Sequence, residues 1–186
     1  ERGFSTRFDA DLDMRMNQKG DLTARKIVNE YEERALHTVL GMYGEIKNAR
    51  TAASEIVRAR GSKEIVSIED LKAALKSCTP RGREFKYWAQ VFQGLRIEVN
   101  EEMAVLEEFL AQTPGVLDES GRLVVMSYHS LEDRMVKNFI RSGKIEGEVE
   151  KDFYGNIIKP LNGITRKPIE ATDEEKAQNP RARSSK

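Results

Sequence analysis

The sequence predicts a mainly α-helical fold with a smaller α/β part towards its C-terminal side. Two observations carry that prediction. From Leu22 to about Gln112 apolar residues recur at helical spacing. After Pro114-Gly115 the period changes, and Arg122-Leu-Val-Val-Met-Ser-Tyr128 reads as a short buried strand of a parallel sheet. Composition supports a globular chain. Of 186 residues, 39% are hydrophobic and 33% charged, and no apolar run approaches the roughly 18 residues of a membrane helix.

Residues 1–21 sustain neither period and read as an ordered loop, anchored by Phe4, Phe8, Leu12, Met14 and Met16. Thr23 is placed to cap a helix running to about Tyr31, and Leu36, Val39, Leu40 and Tyr43 continue at helical spacing until Gly44. Ile46 to Arg60 forms a third helix, stopped by Gly61. Ser67-Ile-Glu-Asp70 is a capping-box variant opening a helix that ends at Thr79-Pro80. One long helix is expected from about Glu84 to Gln112, with Trp88, Val91, Phe92, Leu95, Val99, Met103, Leu106 and Leu110 on one stripe and Pro114-Gly115 closing it.

Beyond the predicted strand, a helix runs to about Arg141 with Ser130 as N-cap and Asp133 at the third helical position. Residues 142–163 hold four glycines and read as loop with one short strand. Ile164 to Ile169 is a second strand candidate, Thr172-Asp-Glu-Glu175 opens a short helix, and residues 179–186 form an extended basic tail. One or two strands cannot cover their own edges. Self-association through those edges is therefore expected.

The 31 basic and 31 acidic residues cancel, which argues against an indiscriminate polycationic nucleic-acid binder. Their distribution is uneven. Five basic residues and one acidic lie between Lys76 and Arg96, whereas Ile97 to Glu119 carries seven acidic residues and no Lys or Arg. One end of this region can face phosphates, or both are solvated helix faces. A single cysteine, Cys78, excludes a disulfide framework, and with no secretory signal a cytoplasmic location is expected.

Four constellations can carry chemistry. Asp13 and Arg15, set between apolar residues in Leu12-Asp-Met-Arg-Met16 beside Gly3-Phe4-Ser5, line a pocket for a polar planar group or form an internal ion pair. Gln93, Arg96 and Asn100 share a helix face, as a packing seam or as a surface turned to RNA. Ser127-Tyr-His-Ser-Leu-Glu-Asp-Arg134 follows a predicted strand and opens a helix, the place where open sheets bind ligands. His129 can orient a base or a phosphate there, and a plain helix cap is the alternative. A Ser-His hydrolase fails for want of a G-x-S-x-G elbow. The tail, with Arg181 and Arg183, is a phosphate contact or a solvated terminus. Two histidines and one cysteine, far apart, make no zinc set, and neither G-x-G-x-x-G nor a P-loop is present.

Taken in order, ERGFS, LDMRM, FQGLRIEVN, GRLVVMSYHSLEDRMVK and NPRARSS resemble the MraW-type family across the whole chain. Each motif alone is weak, and five in register are specific. The resemblance implies an S-adenosylmethionine-dependent methyltransferase acting on N4 of a decoding-site cytosine in 16S ribosomal RNA. It implies a Rossmann-like catalytic domain interrupted by a helical insertion. Residues 1–20 would be the loop leaving the catalytic domain, 21–105 the insertion, and 106–186 the C-terminal remnant of the catalytic domain.

The Gly-rich turn and acidic residue with which the family holds S-adenosylmethionine match nothing here. Glu1 stands where no initiator Met does, so the sequence is expected to begin inside a longer protein, after the cofactor motif, and to be inactive alone. Thr6–Asp11 and Asp118–Gly121 depart from the family pattern, and the strand expected after NPRARSS is missing. By motif position, Phe4, Ser5, Asp13, Arg15, His129 and Ser130 are substrate-pocket candidates. Arg96, Arg134, Arg181 and Arg183 are RNA-contact candidates, with small-subunit ribosomal RNA as partner. A non-catalytic helical RNA- or ribosome-binding module is the alternative.

Overall fold

The computed structural model describes residues 2–165 and 167–186. The chain forms two compact units, residues 1–102 and 103–186. The described residues are mainly helical. No helix among them is long and apolar enough to cross a membrane.

The first unit is a bundle of short helices closed over one core. α1 (Ala24–Glu30) starts at Thr23, whose hydroxyl accepts from the Lys26 amide at 3.1 Å, and it buries Ala24, Ile27 and Val28. α2 (Glu33–Thr38) runs into a π-turn, Val39–Tyr43, that ends with the Gly44 amide donating to the Val39 carbonyl. α3 (Ala49–Ser62) buries a face of Ala49, Ala52, Ala53 and Ile56, small enough for close helix approach. α4 (Ile68–Ala74) carries the expected capping box between Ser67 and Asp70. Leu12 and Met14 join Ile27, Leu36, Leu40, Ile56, Leu71 and Leu95 in this core, each at most 1% exposed. Burying each such side chain contributes about 1.5–3 kcal/mol.

α5 (Glu84–Val99) explains the glutamines and glycine of its central motif. Gln93 donates to the Tyr43 carbonyl at 2.9 Å and Gln90 to the Glu45 carbonyl at 3.0 Å, satisfying acceptors that the π-turn leaves open. Gly94 lies so close to the Gly44 backbone that a Cβ would stand 2.9 Å from its nitrogen.

The single helix expected from Glu84 to Gln112 is two. It breaks after Val99, where Glu101 takes a left-handed φ of 50°, and α6 (Glu102–Val116) begins. The stripe of apolar residues crosses the break, so periodicity alone conceals it. Pro114 lies inside α6 rather than ending it. α3 likewise runs through Gly61.

In the second unit, α7 (Ser130–Ser142) is strongly amphipathic and ends on Gly143 in the left-handed conformation. α8 (Asp173–Gln178) is capped by Thr172, and a 3₁₀ turn, Pro180–Ser184, replaces the expected extended tail. The two expected strands are the main correction. Residues 122–128 take up no regular structure, only Ser127 among them exchanges backbone hydrogen bonds with another segment, and no strand occurs among the described residues; Arg166, within the second candidate, lies outside them. A strand exists only through a neighbouring strand's backbone groups, and Val124, Met126 and Tyr128 are exposed instead. Without strands there are no sheet edges, and the expected edge-driven self-association loses its basis. An isolated bridge, Lys151 to Ile157, marks the short turn within 142–163.

Candidate functional site

The loop of residues 3–16 is built tightly. Gly3 has φ +78°, and a Cβ there would sit 2.6 Å from the Asp11 carbonyl. Met14 is buried in the left-handed region, φ 59°, a costly conformation for a long side chain. Its amide donates to the Arg2 carbonyl, and its carbonyl accepts from the Asn100 side chain, each at 2.8 Å. Asn100 also accepts from the Met16 amide at 2.7 Å. The neighbouring backbone is tied down too, the Leu12 carbonyl to the Arg25 amide and the Asp13 carbonyl to the Ala24 amide.

Asp13 and Arg15 are each other's partner. Arg15 Nε and Nη2 donate to the two Asp13 carboxylate oxygens, both at 2.8 Å, while Nη1 donates to the carbonyls of Gln18 and Gly20. This hydrogen bonding holds the Asp13 carboxyl below its ordinary range against the opposing effect of burial. Phe4 is 40% exposed with the Arg2 guanidinium 5.7 Å from its ring centre, and the Ser5 hydroxyl accepts from the Arg7 amide.

The polar row on α5 faces this unit's own backbone. Gln93 meets the π-turn, Asn100 the Met14 loop, and Arg96 makes a two-point contact with Glu102 at 2.8 and 3.0 Å.

In the second unit, His129 rather than Ser130 is the cap of α7. Its Nδ1 accepts from the Glu132 amide at 3.4 Å, and the Glu132 carboxylate accepts from the amides of Tyr128 and His129 at 2.8 and 3.3 Å. The ring geometry lets His129 do at this corner what Ser does elsewhere, so the reciprocal partner moves from Asp133 to Glu132. Burial alone would raise the Glu132 carboxyl. The His129 side chain and the two amides outweigh it and hold the group at about 2. Ser130 is the first helical residue, and both it and Arg134 are exposed.

The tail reaches the same corner. Ser127 and Lys186 exchange both backbone hydrogen bonds, at 3.0 and 2.9 Å, and the Lys186 ammonium lies 3.8 Å from Asp133. Arg181 and Arg183 are exposed beside buried Ala182. Phe4, Ser5, Asp13 and Arg15 thus share one tied loop, with Arg96 on a helix of the same unit. His129, Ser130 and Arg134 share one helix start, which the tail's last residue joins. Sequence reasoning missed Glu132 and the loop-holding part of Asn100. The His-x-x-Glu spacing from His129 to Glu132 was the available signal for the first, and nothing local announced the second.

The described residues thus give a loop locked into a helical bundle in the first unit and a helix start joined by the tail's last residue in the second. The family model described as the MraW methylase family matches residues 1–186, and the chain belongs to that family. It is 53% identical over all 186 residues to "Ribosomal RNA small subunit methyltransferase H" of Cytophaga hutchinsonii, covering 62% of that protein. Proteins of the same name in Flavobacterium johnsoniae and Phocaeicola vulgatus are 54% and 52% identical over the whole chain, each covered to 61%. The chain spans about three fifths of the length of these relatives.

Proposed function

We propose that this chain supplies the substrate-facing part of a cytoplasmic enzyme that transfers a methyl group from S-adenosylmethionine to N4 of a decoding-site cytosine in small-subunit ribosomal RNA. The observation that carries this reading is identity above one half, across the entire chain, to proteins named as ribosomal RNA small subunit methyltransferases. In domain terms, residues 1–20 belong with the catalytic domain, 21–105 are the helical insertion and 106–186 return to the catalytic domain.

The cavity that opens in the first unit does not fit S-adenosylmethionine. It is about 370 Å³ in volume and opens beside Asp11, Leu12, Asp13, Thr23, Arg25 and Glu64. Its Asp13 is committed to Arg15 and its Glu64 to Arg25, and Leu12 is its one large apolar side chain, so it offers no slot for an adenine. In this reading the chain's own contribution is substrate binding.

An exocyclic amine becomes reachable only when the base leaves its stack. Phe4, Ser5, Asp13 and Arg15 of the first unit, and His129 and Ser130 of the second, are each assigned to contact with the base. Arg134, Arg181 and Arg183 of the second unit are assigned to phosphate contact, and so is Arg96 of the first through a guanidinium already shared with Glu102. The test is nucleoside analysis of small-subunit RNA from cells in which the gene encoding this chain is deleted. Loss of N4-methylation at the decoding-site cytosine is expected, and its retention overturns the proposal in favour of a non-catalytic RNA- or ribosome-binding module.

A further inference from the structure

The connection from α4 to α5 concentrates exposed cations around an exposed ring. Lys76, Arg81, Arg83 and Lys86 are all exposed, and Phe85 is 87% exposed. Residues 76–86 hold these four basic residues and one acidic residue, Glu84, a net charge of +3. None of the four cationic side chains has an ion pair or hydrogen bond among the described residues. Elsewhere in the same unit Arg15, Arg25, Arg58, Lys63, Lys72 and Arg96 are each paired with a carboxylate.

The connection is held in shape. Asn48 donates to the Cys78 carbonyl at 2.8 Å, the Thr79 hydroxyl to the Leu75 carbonyl at 2.8 Å, and the Ser77 hydroxyl to Glu55 at 3.1 Å. Residues 80–83 form a tight turn in which the Arg83 amide donates to the Pro80 carbonyl, with Gly82 at φ +72°. A left-handed glycine in the third position is what a type II turn requires, and it sets Arg81 and Arg83 on either side of the bend. Glu84 turns back to accept from the Gly82 amide at 2.9 Å. The cations and the ring are thus presented by a backbone already ordered.

We propose that residues 76–86 form a docking site for an unpaired stretch of RNA, with Phe85 as the stacking surface and Lys76, Arg81, Arg83 and Lys86 as phosphate contacts. Every base has a flat apolar face that stacks on an aromatic ring, and a run of cations tracks the backbone between bases. Duplex RNA presents no free base face to a lone ring. A lipid surface is the weaker fit, because interfacial helices bury a broad apolar face and here one ring stands alone. The site deepens the proposed ribosomal RNA substrate and rests on that reading.

The test is binding of the whole chain to a short unstructured oligoribonucleotide, followed by fluorescence anisotropy between about 50 and 200 mM salt. Arg81→Gln with Arg83→Gln should lower the slope of log affinity against log salt by about 1.4, near 0.7 for each cation removed on a single strand. Phe85→Ala should weaken binding about tenfold with the slope unchanged, and Phe85→Trp should restore it. Lys19→Gln with Lys26→Gln should change the slope less than the turn variants do. All these side chains are exposed, so melting temperatures should stay constant. Equal slopes and affinities in all variants overturn the site, as does binding to anionic vesicles in preference to the oligoribonucleotide. If a decoding-region ribosomal RNA binds and the turn variants leave it unaffected, this site fails while the proposed substrate stands. Failure of the unmodified chain to bind either RNA at low salt counts against both.

Discussion

Asn100 donates from one side-chain nitrogen to the carbonyls of Met14 and Arg96, both at 2.8 Å, and its oxygen accepts from the Met16 amide. A residue just past the end of α5 therefore fixes a strained loop residue that precedes it by 86 positions. Asn100→Ala strands these backbone groups and should destabilise the chain by about 2 kcal/mol. Asn100→Asp keeps the acceptor but sets a carboxylate oxygen against the Met14 and Arg96 carbonyls, and should destabilise at least as much as alanine. Denaturant titration checks both, and an alanine variant within about 0.5 kcal/mol of the parent would remove the loop-holding role from Asn100.

Gly94 and Gly61 make opposite predictions from the same substitution. At Gly94 a new Cβ meets the Gly44 nitrogen, the Gly44 Cα and the Val39 carbonyl at 2.9 to 3.1 Å, all backbone with little room to yield. Gly94→Ala should cost about 1–3 kcal/mol. Gly61 sits inside α3 with nothing within 4 Å of a Cβ. Gly61→Ala should stabilise by about 0.5–1 kcal/mol. Paired thermal melts of the two variants test the difference in sign.

Glu132 should leave an acid limb in the stability profile. Its carboxyl is held at about 2, below its ordinary 4.5, by His129 and by the amides of Tyr128 and His129, against burial. A lowered folded-state value means that the stabilisation is fully present above the unfolded value. It is lost as pH falls from about 4.5 towards about 2. The stability difference between the parent and Glu132→Gln should accordingly shrink as pH falls below about 4.5. A difference that grows below that pH would contradict the assignment.

The four arginines placed near RNA by motif position should separate by environment. Arg181 and Arg183 are exposed, so changing both to Gln should lower RNA affinity and its salt slope, by about 0.7 to 0.9 per cation, with stability unchanged. Arg96 is engaged twice by Glu102, and Arg96→Gln should show up in denaturation before it shows up in binding. Anisotropy and denaturation measured on the same preparations distinguish the two behaviours.

The helical part was legible because helices announce themselves locally. Thr23, the Ser67–Asp70 box and the Leu36–Val39–Leu40 spacing place their elements without knowledge of any neighbour. The break after Val99 was hidden because both helices continue one apolar stripe, and the cause of the turn, Asn100 reaching for Met14, lies across the fold. The segment 122–128 has a strand's composition, but pairing is a property of two segments and only Ser127 finds a partner. At the candidate site the local rule located the cap of α7 one residue late, since Ser130 has the higher capping preference and His129 has the geometry. The Asp13–Arg15 pair was visible as two charges in an apolar loop, but whether they face a ligand or each other is written in the backbone alone.

The loop around Met14 also has a consequence for synthesis. A nascent chain emerges N-terminus first, so this loop is made before the helices that hold it. Its partners come late: the Val66 carbonyl receives the Leu12 amide, and Asn100 closes the loop only after all of α5 has been made. Closing a loop of that length costs entropy that local contacts cannot offset. The first unit is therefore completed from behind, with its opening segment unfixed until the helices that follow are in place. A translational stall before residue 100 would leave Met14 and Met16 without the one side chain that holds them.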